Sequence, residues 1–272
     1  MGGTSAALYG GSLISLNQAW YKNYPKESFH TFDDSKEWLQ VDKVGHAWTA
    51  YQTSRGTTAA WRWAGMPHKK AVLLGSATGF TYLTVIEILD AHSAEWGWSW
   101  ADMGANLFGS TLFAAQEMGW KEQKISLKFS AHRNNYEPLL QQRADKLFGN
   151  SLPESLLKDY NGQTYWLSLN LKGISDVWNL PPWLNIAVGY GADGLWGGFE
   201  NKGYDKEGNV IFNRTDISRR RQWYLSPDVD FTKIKTGSKP LKTLFFLLNA
   251  IKVPAPTLEF SNGSFKGHFL YF

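Results

Sequence analysis

The chain has 272 residues, 43% of them hydrophobic and 19% charged, with a net charge of +4. Its 42 aromatic side chains, 14 of them Trp, exclude disorder, because burying such groups folds a chain. With no cysteine it has no disulfide frame, thiolate metal site or cysteine nucleophile, and the modest charge does not suggest a nucleic-acid binder; aromatic excess with few charges suits a membrane interface.

Residues Met1 to Tyr21 are uncharged but diluted by Gly2, Gly3, Gly10, Gly11, Asn17 and Gln18. No Lys or Arg precedes the apolar stretch, so it lacks the basic start of a secretory signal. The expectation is a mature chain whose signal was removed or never included. The longest charge-free apolar runs elsewhere, Ala71 to Ile86 and Met103 to Gln116, are 16 and 14 residues long. Both fall short of the roughly 20 residues that cross a bilayer as a simple helix, so a conventional multi-span protein is not expected.

Charge and periodicity divide the chain at one place. Residues 1–120 hold 8 Lys plus Arg against 10 Asp plus Glu, and the remainder holds 20 against 14. Before Trp120 the apolar period is helical: Tyr82, Val85, Ile86 and Leu89 share one face. Asp42, Lys43 and His46 open a helix. Gly65-Met66-Pro67 ends it and a second begins near Lys69. Ser99, three residues before Asp102, reads as the N-cap of a third helix running from Trp100 toward Met118.

After Trp120 the period drops to two. Ile125 to Ala131, Tyr165 to Leu171, Leu184 to Tyr190, Trp223 to Phe231 and Phe265 to Tyr271 each alternate an apolar with a more polar face. A helix from Leu139 to Phe148 interrupts them, and Leu241 to Lys252 favours another. The fold class is therefore α+β: an N-terminal helical bundle over 1–120, then a C-terminal antiparallel β-sheet or partial barrel over 121–272, with an inserted helix near 137–149. Two architectures fit the strands. Either the apolar faces pack on helices, or they meet lipid while the polar faces line a small barrel. The polar faces and the terminal Phe272 suit the second, whereas five or six strands fall short of a closed barrel's eight.

The chemical signal lies in the helical half. Asp42 and His46 share a face at i, i+4, Glu87 and Asp90 at i, i+3, and Asp102 and Asn106 at i, i+4. Charges in apolar helices are costly unless paired, so these clusters should face one another, with Lys43 and His46 offsetting the acids. Such a set suits a structural polar network, a divalent cation or polar head group, or acid–base catalysis. Plainer roles are Asp42 and Lys43 at a helix N-terminus, Asp102 as a capping partner and Glu87 pairing with Lys43. Trp96, Trp98 and Trp100 suit an interfacial anchor or core packing. Arg219, Arg220 and Arg221 suit lipid phosphates or a solvated strand end.

The strings DKVGHAWTAY and VIEILDAHSAEWGWSWADMGANLFGS resemble family 2279 of domains of unknown function, predicted periplasmic proteins whose longer members occur in Bacteroidota. The pieces KDYNGQTYWLS, PPWLNIAVGYGADG, RRRQWYLSPDVD and PAPTLEF are similar to those longer members too. The order Lys-x-x-His, Glu-x-x-Asp, Asp-x-x-x-Asn-x-x-Gly is distantly similar to the VanZ-like membrane family, where Gln commonly stands at the place of Asp90. The resemblance implies an envelope location and no particular reaction. One departure is the missing lipobox cysteine.

The expected function is a non-enzymatic envelope protein, periplasmic or outer-membrane-associated, structural, lipid-binding or a complex subunit. The alternative is a lipid- or envelope-directed enzyme using His46, Glu87, Asp90 and Asp102. No nucleophile elbow, phosphate loop or dinucleotide fingerprint supports a better-known reaction. No cofactor is called for; the partners expected are membrane lipid or an envelope complex, not nucleic acid, with oligomeric state open.

Overall fold

The computed structural model describes residues 10–11, 25–175 and 179–272. Apart from Gly10 and Gly11, the stretch read for targeting lies outside the described residues. The chain divides into two compact units, one of residues 1–36 and 43–123, the other of residues 37–42 and 124–272.

The first unit is built on three long helices, α1 (Val41–Trp63, whose first two residues belong to the second unit), α2 (His68–Asp90) and α3 (Trp100–Gly119). Pro67 caps α2, and Ser99 caps α3 by accepting from Asp102 N at 3.0 Å. An extended segment runs beside the α2–α3 connection, with Glu27 N donating to His92 O and Trp98 N to His30 O at 3.0 and 2.9 Å. Small residues let the helices touch backbone to backbone. A Cβ on Gly79 would stand 2.8 Å from Ala50 O, and one on Gly109 would stand 2.0 Å from Ala47 O. Ser54 Oγ reaches Ser110 Oγ at 3.3 Å across the same contact. Including its polar ends, α2 has 23 residues and is long and apolar enough to cross a membrane by length and composition.

The second unit is a six-stranded antiparallel sheet in the order β1 (Ile125–Ala131), β2 (Gln163–Asn170), β3 (Leu184–Asp193), β6 (Arg220–Val229), β7 (Ala255–Ser261), β8 (Ser264–Tyr271). A separate hairpin, β4 (Lys202–Tyr204) with β5 (Val210–Asn213), fills the excursion between β3 and β6. Helices α4 (Pro138–Phe148) and α5 (Leu152–Lys158) lie between β1 and β2, and α6 (Lys239–Leu248) between β6 and β7. Phe148, Leu140, Ala144 and Trp196 form a core with Trp38 and Phe212 packed against it. Trp38, Leu39 and Gln40 all have positive φ, at 48°, 51° and 67°. That turn is held by Trp38 N donating to Gly198 O at 2.8 Å and by the Tyr190 hydroxyl donating to Leu39 O.

The sheet's polar face is the buried one. Ser126, Lys128, Ser130, Ser168, Asn185, Ser226 and Asp228 are buried, whereas Leu167, Val188, Trp223, Leu225, Leu258 and Phe260 on the opposite face are exposed. The reading in which apolar strand faces pack on helices is thereby corrected: the interior side of this six-stranded antiparallel sheet is its polar face. At its centre Lys128 Nζ meets Asp228 Oδ2 at 2.8 Å with both side chains fully buried. Lys128 also donates to Val229 O at 2.7 Å, and Ser168 donates to Asp228 Oδ2 at 2.6 Å. Desolvated charges persist only when paired in this way, and both contacts fall on Asp228 Oδ2, its Oδ1 having no hydrogen-bond partner among the described residues.

A register shift between β7 and β8 changes one sequence expectation. Thr257 faces His268 but Ala255 faces Tyr271, so β8 carries an extra residue. A bulge of this kind reverses the side-chain parity beyond it. Phe265 and Phe269 stay outside, while Tyr271 turns inward to Tyr224 at 4.5 Å and to Thr164, whose hydroxyl is 2.9 Å away. Phe265 and Tyr271 therefore do not share a face. Two further boundaries shift: Leu171 opens a helical turn instead of ending a strand, and Phe231 lies in a 3-10 turn after β6.

The close helix contact gives a paired prediction. Gly109→Ala should lower unfolding stability by about 1–3 kcal/mol, the usual cost of overpacking. Gly104→Ala, on the same helix with open space at the Cβ position, should be neutral or gain up to about 1 kcal/mol. Urea denaturation of both variants measures the difference.

Candidate functional site

The polar cluster is built within the first unit by all three helices. Lys43 and His46 come from α1, Glu87 and Asp90 from α2, Asp102 and Asn106 from α3. Lys43 Nζ bridges two carboxylates, Asp34 Oδ2 at 2.5 Å and Asp102 at 2.8 Å. Ser99 joins the same network: its hydroxyl donates to Asp34 Oδ1 at 2.5 Å, and its backbone N–H donates to Glu87 Oε2 at 3.3 Å. His46 sits in the middle. Its Nδ1 lies 3.1 Å from Asn106 Oδ1 and 3.6 Å from Glu87 Oε1, and its Nε2 lies 3.8 Å from Asp102 Oδ1.

Glu87 and Asn106 are 1% and 0% exposed. Among the described residues, Glu87 Oε1 and Asn106 Nδ2 have no hydrogen-bond partner. Burial pushes the Glu87 carboxyl up to about 8, the charges of Asp102 and Asp90 act the same way, and His46 opposes them. Glu87 therefore holds a proton at neutral pH beside an imidazole, an arrangement that can exchange a proton with a polar ligand. His46, Glu87 and Asp102 supply the donor types a divalent cation takes, yet the Lys43 ammonium already pairs with both Asp34 and Asp102. As it stands, the cluster ties the three helices together through hydrogen bonds and ion pairs.

Asp42 belongs to the second unit, where it accepts from the Tyr160 hydroxyl at 2.7 Å. The three arginines lie in the second unit, each with a partner there. Arg219 donates to Gly197 O at 3.0 Å and to Gly198 O, Arg220 pairs with Asp193, and Arg221 donates to Gln40 Oε1 at 2.7 Å. Lys43 turns to Asp34 and Asp102, which leaves His46 as the basic neighbour of Glu87. Asp34 is the member that sequence reasoning missed. It lies outside any periodic segment, and beside Asp33 nothing in the string marks it as the buried one.

Fold and cluster together define a mixed α+β protein whose ionisable network lies in its helical unit. Residues 30–116 match the family model described as a predicted periplasmic lipoprotein, domain of unknown function 2279, and that span covers every member of the cluster. The match agrees with a periplasmic, cell-envelope protein of unknown function. Neither a curated protein nor a solved structure matches the chain.

Two predictions follow from the network's electrostatics. An unfolded Glu87 titrates near 4.5 and a folded one near 8, so between these values the folded chain holds the extra proton. Its contribution to stability is full below about 4.5 and falls as pH rises toward 8, by at most about 1.4 kcal/mol per pH unit. Glu87→Gln should abolish that slope, seen as a Tm difference from wild type that shifts in favour of the variant from pH 5 to pH 8.5. Asp102→Ala should cost about 3–5 kcal/mol by removing the carboxylate that joins Lys43 to the His46 side of the network, and Asp102→Asn should cost less. Unchanged chemical denaturation of both Asp102 variants would show that the network contributes nothing to the fold.

Proposed function

We propose that this is a non-enzymatic envelope protein that associates with the outer membrane through the outward face of its six-stranded sheet. One observation carries the reading. Strand register aligns Phe129, Tyr165, Tyr190, Trp223, Phe260 and Phe265 in a single row across all six strands. The first three are half-buried, Tyr165 and Tyr190 packing on Val41, Ala192 and Leu195, while Trp223, Phe260 and Phe265 are 48%, 40% and 70% exposed.

Below this row the next one is aliphatic: Leu127, itself buried, then the exposed Leu167, Val188, Leu225 and Leu258. Ile125, Leu169, Ile186 and Pro227 follow, then Leu184 and Val229. From Trp223 to Val229 the band is about 20 Å tall at strand rise. Above it Asp193, Arg220 and Arg221 close the β3–β6 pairing with charge. An aliphatic band edged by aromatic side chains, with polar groups inside, is how strands meet a bilayer. Exposed apolar area of this extent marks an interaction surface, and the aromatic edge favours lipid over a protein partner.

The test is flotation of the purified chain with zwitterionic phosphatidylcholine vesicles. The wild type should float, and Leu225→Asn combined with Leu258→Asn should weaken binding at least tenfold with an unchanged melting curve. A wild type that stays at the bottom of the gradient, or a variant that floats equally well, rejects the reading.

A further inference from the structure

We propose that helix α6, with the Phe231–Thr236 loop before it, is an interfacial anchor selective for a bilayer surface carrying anionic headgroups. The inference rests on the lipid-facing reading of the sheet and adds the chemistry of the headgroups. It begins from topology. Strand β6 leaves the aromatic row at Trp223 and ends at Val229, and β7 starts at Ala255 and reaches the row at Phe260. The connection between them, which contains α6, therefore lies at the end of the band remote from the aromatic row.

The helix is fixed but hardly covered. Ser238 caps it by accepting from Leu241 N, Phe245 stacks on Phe231 at 6.0 Å, and Asn249 Oδ1 accepts from Phe231 N at 3.0 Å. None of its ten residues is buried. Leu241, Leu244 and Leu247, spaced by three and so on one side, are 42%, 46% and 61% exposed, and Ile251 beyond them is 50% exposed. Such an amphipathic helix beside a lipid-facing surface belongs at the headgroup boundary.

Charge selects the occupant. From Phe231 to Leu258 the chain has five lysines and no acid. Lys252 is buried, whereas Lys235, Lys239 and Lys242 are exposed and form no salt bridge among the described residues. Phe231, Lys233, Lys235, Lys242, Phe245 and Phe246 line a cavity of about 440 Å³, so ammonium groups and rings share one concavity. Lysines around an apolar helix face fit a layer of phosphates over acyl chains, each basic residue adding severalfold in affinity. An acidic protein partner would complement the lysines but not the bare leucines.

The experiment titrates the full chain with phosphatidylcholine vesicles and with vesicles containing 30% phosphatidylglycerol. Wild type should bind the anionic vesicles at least tenfold more tightly, and 0.5 M salt should erase the difference without any substitution. Lys235→Gln, Lys239→Gln and Lys242→Gln together should abolish the preference while leaving binding to phosphatidylcholine intact. Leu241→Gln with Leu244→Gln should weaken binding to the anionic vesicles. Equal wild-type affinity for both vesicles, a preference that survives the lysine changes, or indifference to the leucine changes overturns the anchor while the sheet reading stands. Binding to neither vesicle overturns both readings. Loss of phosphatidylcholine binding only in the Leu225 and Leu258 variant separates the sheet's contribution from that of the helix.

Discussion

The buried ion pair between Lys128 and Asp228 decides what the second unit is. Two charges with no solvent exposure can stay in the sheet's interior only if the surrounding surface is polar and hydrogen-bonded. Ser168 supplies one such bond to Asp228, and Asn185 continues the chain by donating to Ser168 Oγ at 2.8 Å. Because strand side chains alternate strictly, putting these residues inside puts Leu167, Val188 and Leu225 outside. The polar interior and the apolar exterior are one constraint seen from two sides.

Aromatic residues then fill what the polar network leaves. Trp166 is buried with Tyr224 and Tyr271, and its Nε1 donates to Ser130 Oγ at 2.9 Å. Tyr271 reaches this stack only because the bulge in β8 reverses its direction. Without that extra residue Tyr271 would face outward with Phe269. The bulge thus converts the end of the last strand from exposed outer surface into part of the interior.

The first unit solves a similar problem in a different way. Its helices approach closely through Gly79 and Gly109, leaving little room for large side chains, and so polar groups carry much of the specificity. Lys43 satisfies two carboxylates at once, and Glu87 avoids a third buried charge by keeping its proton. The residues with acid–base character are therefore the ones that hold the helices in register.

Much of this was readable from the string. Period-two runs marked five of the six strands of the main sheet because each has one apolar and one polar face, and Ser99 marked the start of α3 because capping is local chemistry. The helical pairs of Glu87 with Asp90 and Asp102 with Asn106 were visible from spacing alone. Strand β7 was not read, since Pro254 and Pro256 break its start, and the three-residue β4 is too short to show a period. Asp34 and the left-handed turn at Trp38–Gln40 depend on tertiary partners, for the first Ser99 far along the chain and Lys43 on the next helix, for the second Gly198 and Tyr190. Alternation also has no sign: a strand with two unlike faces says nothing about which one meets the interior. The sequence alone determined the elements, their order and the polar residues in apolar helices, because those follow from local periodicity. Tertiary structure alone decided that the polar face turns inward, because that choice rests on Lys128 meeting Asp228 across 100 residues of chain.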